Sequence, residues 1–442
     1  MADRAVSDHA GVQRQLDRLA LLSPGADVLG LERISALLDR LGNPERRLPP
    51  VFHVAGTNGK GSTCAFLRAA VEAAGLTAHV YTSPHLVRFN ERIRLGGKLV
   101  EDDPLADLLA EVLDVAEGIE PSFFEATTAA AFLAFSREPA DACIVEVGLG
   151  GRLDATNVIP SPAVCGIAQL GLDHQQFLGN RIEDVAAEKA GIAKRGVPLV
   201  TQHYPDSLAN RIGEAAASAG AVWLPRGGRW DASAYKQKLH YRDEQGSLEL
   251  PLPRMRGAHQ AMNAALAIAM LRHQQAVPVR ETALRAAMGW ADWPARLQRL
   301  APGPLTNLLP EGSELWLDGG HNPAAARAIA DYFRAHNPGD WPFHIVAGIL
   351  ANKDAAGVLK PFANRAAIIH AVPVPDHAHH SPEELVGTAR GTGLGGLAAP
   401  DVPAALGWIA RHADRSKPPI VLVMGSLYLA GEVLKANLQP PT

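Results

Sequence analysis

The chain lacks what would tie it to an oxidising compartment, a membrane or a polyanion. Cysteine occurs only three times in 442 residues, at Cys64, Cys143 and Cys165. Each lies inside an apolar stretch and none forms the close pair that binds zinc, so the thiols read as small core residues of a reducing compartment. No run approaches the ~20 apolar residues that cross a bilayer, and the N-terminal segment has no secretory core, so a soluble cytoplasmic protein without a membrane partner is expected. Neither sign of charge dominates, with 42 basic against 46 acidic residues and a formal net charge of −4. That balance supplies no field for nucleic acid. No repeat or low-complexity segment interrupts the chain. What is present is the composition of a globular enzyme, 47 % apolar and 20 % charged, on a chain long enough for two or three cores.

One segment concentrates chemistry. His53-Val-Ala-Gly-Thr-Asn-Gly-Lys-Gly-Ser-Thr63 joins an apolar strand to a helical pattern and carries three glycines, one lysine and, after the lysine, the two hydroxyls of Ser62 and Thr63. Gly56, Gly59 and Gly61 let backbone N–H groups approach an anion, Lys60 adds a point charge, and Ser62 or Thr63 can reach a metal on phosphate oxygens. The positive end of the helix dipole falls at the same place. The spacing departs from the Walker pattern, which asks for glycine where Val54 stands and a hydroxyl where Gly61 stands.

From Val51 onward, apolar strands alternate with helical stretches: Val51–Val54, a helix from Lys60 to Ala74, Ala78–Tyr81, a helix over Phe124–Arg137, Ala142–Val147, Ala163–Ala168, a helix around Ile182–Lys194 and Pro198–Thr201. Such alternation predicts a doubly wound α/β domain. Residues 221–253 change to short alternating segments that predict an antiparallel hairpin region, and a helix follows from Gly257 to about Arg272. Asp292–Arg299 reads as a linker. Beyond it, Leu315–Leu317, Ala324–Ala335, His344–Ala347, Ala367–Ala371 and Ile420–Met424 predict a second, Rossmann-like α/β domain. The expected division is 1–297 and 298–442, a P-loop ATPase domain with a small antiparallel β region followed by a C-terminal α/β domain.

Further candidates sit at strand ends, where open α/β sheets gather ligands. Glu146 ends an apolar strand; it either faces a cation or pairs with Arg152. Ser83 and the Asp173-His174 pair follow other strands and are either metal ligands or loop hydrogen-bonders. Lys189 lies on a helix of small apolar residues. It is either solvated or a lysine of depressed pKa open to carbamylation, and spacing does not choose.

Taken together, Ala55-Gly-Thr-Asn-Gly-Lys-Gly-Ser62, Thr82-Ser-Pro-His85, Glu146-Val-Gly-Leu-Gly-Gly-Arg-Leu-Asp-Ala-Thr-Asn157, Leu172-Asp-His174, Glu188-Lys-Ala-Gly191, His259-Gln-Ala-Met-Asn263 and Asp318-Gly-Gly-His-Asn322 resemble the folylpolyglutamate synthase and dihydrofolate synthase family of Mur-ligase-like ATP-dependent amide ligases. The resemblance runs from about Leu29 to Leu434. It implies ATP and magnesium, with L-glutamate, dihydropteroate and reduced folates as the small-molecule substrates, and a monomer.

The resemblance also assigns residues. It places the nucleotide on Thr57, Asn58, Gly59, Lys60, Gly61, Ser62, Asn263, Arg296 and Asp318, between the domains, so that closure would complete the site. It makes Ser62, Ser83, Glu146 and His174 the metal ligands, Lys189 the carbamylated lysine, and Lys60, Lys189, His174 and His321 the catalytic set. The pterin-bearing substrate is expected against Leu29, Gly30 and Leu31, against Ser122, Phe123, Phe124 and Glu125, and against Leu153, Asp154 and Ala155. Phe123 or Phe124 would be an aromatic wall, although aromatics beside alanine runs also serve as core. The Asp-Ala-Thr-Asn form resembles members that also use dihydropteroate, so the bifunctional enzyme is expected.

Two departures stand out. Asp318-Gly-Gly-His replaces a commoner Asp-Gly-Ala-His, and Asn352 stands where relatives often carry an acid. His377-Ala-His-His380 reads as a solvated loop outside the site. The alternatives are a folylpolyglutamate synthase alone, another Mur-type ligase, or a nucleotide switch that makes no bond.

Overall fold

Every side chain of Val51–Ala55 is buried, and the same holds for Ala78–Tyr81 and Ala142–Glu146. Strands without a solvent face need helices on both sides, which is why these runs read as continuously apolar. The computed structural model describes residues 5–22, 29–337, 341–363, 368–414 and 416–442. It divides into two compact units, Met1–Arg254 with His259–Asp292, and Met255–Ala258 with Trp293–Thr442.

In the first unit, β1 (Val51–Ala55), β2 (Ala78–Tyr81), β3 (Ile93–Leu95), β4 (Lys98–Leu99), β5 (Ala142–Glu146), β6 (Val164–Ile167), β7 (Pro198–Thr201) and β8 (Val222–Pro225) form one sheet in the order β4-β3-β2-β5-β1-β6-β7-β8. Strands β2, β5, β1, β6, β7 and β8 run parallel, while β3 and β4 add an antiparallel edge. Strand β1 sits between β5 and β6, with Val54 opposite both Glu146 and Gly166. From β1 the chain passes over β5 to β2, β3 and β4 on one side, and from β5 it passes over β1 to β6, β7 and β8 on the other, so the loops leaving the carboxyl ends of β1, β5 and β6 open at the switch point where such sheets bind ligands.

The helices covering this sheet are apolar nearly all round. Lys60–Ala73, Phe123–Arg137 and Ala258–Arg272 bury most of their residues, many of them alanine. Glu32–Arg40 is peripheral and buries a single stripe of Ile34, Leu37 and Leu38.

The hairpin expectation over 221–253 divides in two. Val222–Pro225 is not part of a hairpin but the parallel edge strand β8, because it extends the ladder of β7. The antiparallel meander is β9 (Trp230–Tyr235), β10 (Lys238–Asp243) and β11 (Gly246–Pro251). Arg272, at the end of its helix, clasps Asp243 of β10 through two bonds of 2.6 Å, a bidentate pairing that fixes the meander's tip.

The second unit holds β12 (Gln298–Arg299), β13 (Glu314–Leu317), β14 (Phe343–Ala347), β15 (Ile368–Ala371), β16 (Gly395–Ala398) and β17 (Ile420–Met424) in the order β12-β13-β17-β14-β15-β16. All neighbours are parallel except β12, which pairs antiparallel with β13. Gln298 and Arg299, expected in a linker, are therefore sheet residues; Ala367, expected to open β15, lies outside the described residues. The core centres on Trp316, which packs edge-on against Phe333, itself in ring contact with Phe343. Among the described residues no helix is long and apolar enough to cross a membrane.

Candidate active site

The phosphate turn is held open by its own backbone. Thr57 and Asn58 donate their N–H groups to Gln169 O at 2.8 and 3.1 Å, and Thr57 Oγ1 donates to Gly171 O at 2.8 Å. Gly59 caps the Lys60–Ala73 helix with φ +86°, and a Cβ there would collide with Asn263 Oδ1. Only glycine satisfies both conditions.

Three groups converge at this helix start. Lys60 Nζ donates back to Gly56 O at 3.1 Å and stands 4.0 Å from Glu146 Oε1. Glu146 is buried at the end of β5, and its other oxygen accepts from Ser83 N at 3.3 Å. Thr63 spends its hydroxyl on Gly59 O at 2.8 Å, whereas Ser62 Oγ, equally buried, has no partner among the described residues. Of the two hydroxyls that follow Lys60, Ser62 is thus the one left for a ligand. A buried hydroxyl without a partner is costly unless something arrives to bond it.

Arg152 does not serve Glu146. It bonds Glu188 at 2.8 Å, while its backbone N–H donates to Glu188 O at 2.8 Å. The Gly150-Gly151 turn thereby lies on the helix Ile182–Ala190, and a Cβ on Gly151 would meet Glu188 O at 2.6 Å and Lys189 Cα at 3.0 Å. This close approach buries Lys189. Burial first, and then the positive charge of Lys60, lowers the Lys189 pKa from 10.5 to about 7, while Asp173, Asp154 and Glu188 oppose the shift. His174 is exposed, in left-handed backbone at φ 49°, and its N–H is held by Asp173 at 2.8 Å. Among the described residues no group of three or more His, Cys, Asp or Glu side chains gathers to hold a metal. A magnesium ion suits such a site, because it is commonly held by one or two carboxylates with phosphate oxygens and waters.

The expected substrate residues fall into two roles. Ser122 and Glu125 form a reciprocal cap, Ser122 N donating to Glu125 Oε2 at 2.7 Å and Glu125 N to Ser122 Oγ at 3.2 Å. Glu125 also accepts from Arg33 Nε at 3.0 Å, which ties the helix following Leu29, Gly30 and Leu31 to the start of Phe123–Arg137. Phe123 is buried in the main core, edge-on to Phe89, whereas Phe124 is half-buried against Gly148 and tilted towards Tyr81. Phe124 is therefore the ring still able to face a ligand. Asp154 is buried and accepts from Leu149 N at 2.8 Å and Thr156 N at 3.0 Å; burial pushes its pKa up. Leu153 and Ala155 flank it, half-buried and buried.

Two features escaped the sequence reading. His53, at the centre of β1, contacts Thr156 Oγ1 at 2.8 Å, and Thr156 in turn bonds Asp154, so the loop is braced from beneath the sheet. Burial lowers the His53 pKa to about 3, keeping it neutral. Arg92 is buried between Phe89 and Phe123, 5.4 Å from each ring centroid, and donates to His85 at 2.9 Å. Its flanking residues Asn90, Glu91 and Arg94 are polar or charged, so the sequence carries no signal for its burial.

In the second unit, Asp318 follows β13 and accepts from Leu297 N at 2.8 Å and Gly320 N at 2.7 Å. Ala295 and Leu297, on either side of Arg296, both have positive φ, 54° and 42°, a strained arrangement that the Asp318 clasp maintains. His321 Nδ1 lies 2.9 Å from Gly319 O, which makes Nδ1 the protonated nitrogen and Nε2 the basic one. The His377–His380 loop is anchored rather than solvated: His377 stacks on Tyr428 at 3.7 Å and His380 contacts Lys353 O at 3.1 Å.

Residues 307–427 match the family profile of the Mur ligase, glutamate ligase domain. The whole chain is similar to the folylpolyglutamate synthase of Lacticaseibacillus casei, 34 % identical over 426 residues that cover 92 % of this chain and 94 % of that one. Its structure is similar to that of Escherichia coli FolC in complex with DHPP and ADP, with TM-score 0.86 and 33 % identity over 96 % of this chain and 97 % of the other. It is also similar to a bifunctional folylpolyglutamate synthase/dihydrofolate synthase with Mn, AMPPNP and L-glutamate bound, with TM-score 0.84 and 32 % identity over 99 % of both chains. An amide-ligase architecture matched along nearly its full length, with its phosphate turn intact, places this chain in the folylpolyglutamate synthase/dihydrofolate synthase family.

Proposed function

We propose that this protein is an ATP-dependent ligase that joins L-glutamate to dihydropteroate and to reduced folates through an acyl phosphate. The observation that carries the reading is the buried, unpartnered Ser62 hydroxyl at the helix start, beside the Lys60–Glu146 pair.

A substrate carboxylate attacks the γ-phosphorus of ATP, the bond from that phosphorus to the β,γ-bridging oxygen breaks, and ADP leaves. The amine of glutamate then attacks the acyl carbon, loses its proton and expels phosphate, leaving an amide. The first step brings an anion against a polyanion, so the chain must offset charge. Lys60 and the N–H groups of the turn meet the triphosphate, and their fixed placement means little reorganisation as charge moves to the leaving group. Ser62 and Glu146 suit magnesium, with Ser83 and His174 as further candidate ligands, and the ion supplies neutralisation of phosphate charge.

Lys189 is the site of carbamylation in this reading. At a pKa of about 7 much of it is neutral amine near pH 7, the form that adds carbon dioxide to give a carbamate and a proton. The product replaces a cation that repels Lys60 with an anion that attracts it. In the second unit, Asp318 and Arg296 are the candidate nucleotide-binding residues, and His321, through its Nε2, is the candidate proton acceptor for the amine. Phe124, Leu153, Asp154 and Ala155, with Leu29, Gly30 and Leu31, hold the pterin-bearing substrate.

The test is direct. With ATP, magnesium and glutamate, ADP should form only when dihydropteroate or a tetrahydrofolate is added, and mass spectrometry should find the product one glutamyl residue heavier. ADP release indifferent to both would remove the folate assignment, and activity with the tetrahydrofolate alone would make the enzyme monofunctional.

A further inference from the structure

Beside the phosphate turn, two side-chain amides lock one another. Gln260 and Asn263 lie one turn apart on the Ala258–Arg272 helix, and Asn263 Nδ2 donates to Gln260 Oε1 at 3.0 Å. Gln260 has no exposed surface, and its Nε2 has no partner among the described residues. Asn263 Oδ1 stands against Gly59, where a Cβ would fall.

An amide pair of this kind has two registers. In the one adopted, the Gln260 oxygen takes one Asn263 hydrogen, which leaves Asn263 with Oδ1 and its second Nδ2 hydrogen side by side on the edge next to the turn. In the reverse register, Gln260 Nε2 would donate to Asn263 Oδ1, and on the outer edge the acceptor and the donor would change places. The adopted register is kept although it leaves a buried donor unpaired, which is costly. An acceptor beside a donor is the pattern that reads the 6-amino group and N7 of adenine; guanine offers two acceptors there and sets its O6 against Oδ1.

We infer that Gln260 is a positioning residue that sets nucleobase specificity: it fixes the Asn263 amide in the register that selects adenine over guanine. The inference rests on the proposed nucleotide site at this turn. Gln260 itself touches no substrate; its effect passes through one hydrogen bond.

The experiment measures kcat/KM for ATP and for GTP, with saturating dihydropteroate and glutamate, in the full-length enzyme and in Gln260→Leu, Gln260→Glu and Asn263→Ala. Gln260→Leu should raise KM for ATP and narrow the ATP-over-GTP ratio roughly tenfold, at the lower end of what a bidentate amide pair contributes. Its kcat and its KM for dihydropteroate should not move. Gln260→Glu keeps the acceptor and should keep the ratio; it carries the test if the leucine variant fails to fold. Equal losses with ATP and GTP in Gln260→Leu, or a ratio collapsed by Gln260→Glu, would overturn the inference. Asn263→Ala separates the two layers. If it abolishes the ratio while Gln260→Leu does not, Gln260 has no such role and the nucleotide site stands; if it leaves both nucleotides unaffected, the site reading itself fails.

Discussion

Lys60 Nζ and Glu146 Oε1 form an ion pair 4.0 Å apart, too far for a direct hydrogen bond, and the lysine donates instead to Gly56 O at 3.1 Å. The lysine is anchored by its own turn and does not depend on the carboxylate for its place. Glu146→Gln should therefore fold normally, since the amide oxygen still accepts from Ser83 N, yet lose of the order of 10²-fold in kcat through the missing charge. Lys60→Ala should be slower still. Steady-state rates beside thermal melts check this, and a Glu146→Gln enzyme of normal rate would show that the carboxylate faces no cation.

Ser62 and Thr63 adjoin in sequence and differ in duty. Ser62→Ala removes a hydroxyl that bonds nothing among the described residues, so stability should change by less than about 0.5 kcal/mol while kcat/KM for ATP falls roughly tenfold or more. Thr63→Val removes the bond to Gly59 O and should cost about 1 kcal/mol of stability with a smaller effect on turnover. Urea unfolding and ATP kinetics on both variants decide it; the opposite pattern would exchange the roles.

How much of this was open to sequence alone varies by element. Strands β1, β2, β5, β7 and β17 were legible because burial on both faces leaves a nearly continuous apolar run, broken only at single positions such as His53 and His79. Strand β16 was not: Gly395–Ala398 is a mostly exposed edge of glycine, leucine and alanine and carries no periodicity. Val222–Pro225 was misassigned for a related reason, since its exposed Val222 gives it the alternation of a hairpin strand. At the site, residue type announced Lys60, Ser62 and Glu146. The choice between Ser62 and Thr63 depends on a back-bond, and the partner of Arg152 is Glu188 rather than the nearer Glu146; both are facts of three dimensions. The burial of Lys189 arises from contact with Gly151, which no helical pattern records.

The depressed pKa of Lys189 makes stability depend on pH in a fixed direction. Between about pH 7 and its ordinary value of 10.5, the unfolded chain binds a proton at Lys189 that the folded chain does not, so stability rises with pH across that window. Lys189→Met should be more stable than the wild type near pH 7, with the difference narrowing towards pH 10. Activity should rise as pH passes through about 7, fall reversibly when carbon dioxide is stripped, and drop roughly 10- to 100-fold in Lys189→Met. A wild type indifferent to bicarbonate would remove the carbamate.

Glu125 joins three things at once: Ser122 N, its own helix start and Arg33 Nε at 3.0 Å. Its side chain is 5 % exposed, so Glu125→Ala removes a buried acceptor from Ser122 N and from Arg33 Nε together and should cost about 2–3 kcal/mol. Ser122→Ala loses only the cap and should cost about 1 kcal/mol. Because Arg33 follows Leu29–Leu31, Glu125→Ala should also raise KM for dihydropteroate more than KM for ATP, a split measurable in a stabilising buffer. Equal rises would make the pair purely structural.

Asp318 uses both carboxylate oxygens as acceptors, for Leu297 N and Gly320 N. An amide in place of this carboxylate could accept only one of these and would turn an NH2 group towards the other N–H, so Asp318→Asn should lose roughly 1–3 kcal/mol at that contact. The strain at Ala295 and Leu297 gives the loss a direction. Released from the clasp, these residues relax from positive φ and carry Arg296 away from its place, so KM for ATP should rise while KM for the pteroate substrate stays constant. Asp318→Glu keeps both acceptors on a longer arm and should sit between the two. Protection of the Leu297 amide in hydrogen exchange reports the clasp without reference to activity: faster exchange with unchanged ATP kinetics would separate the backbone device from nucleotide binding and confine Asp318 to the first.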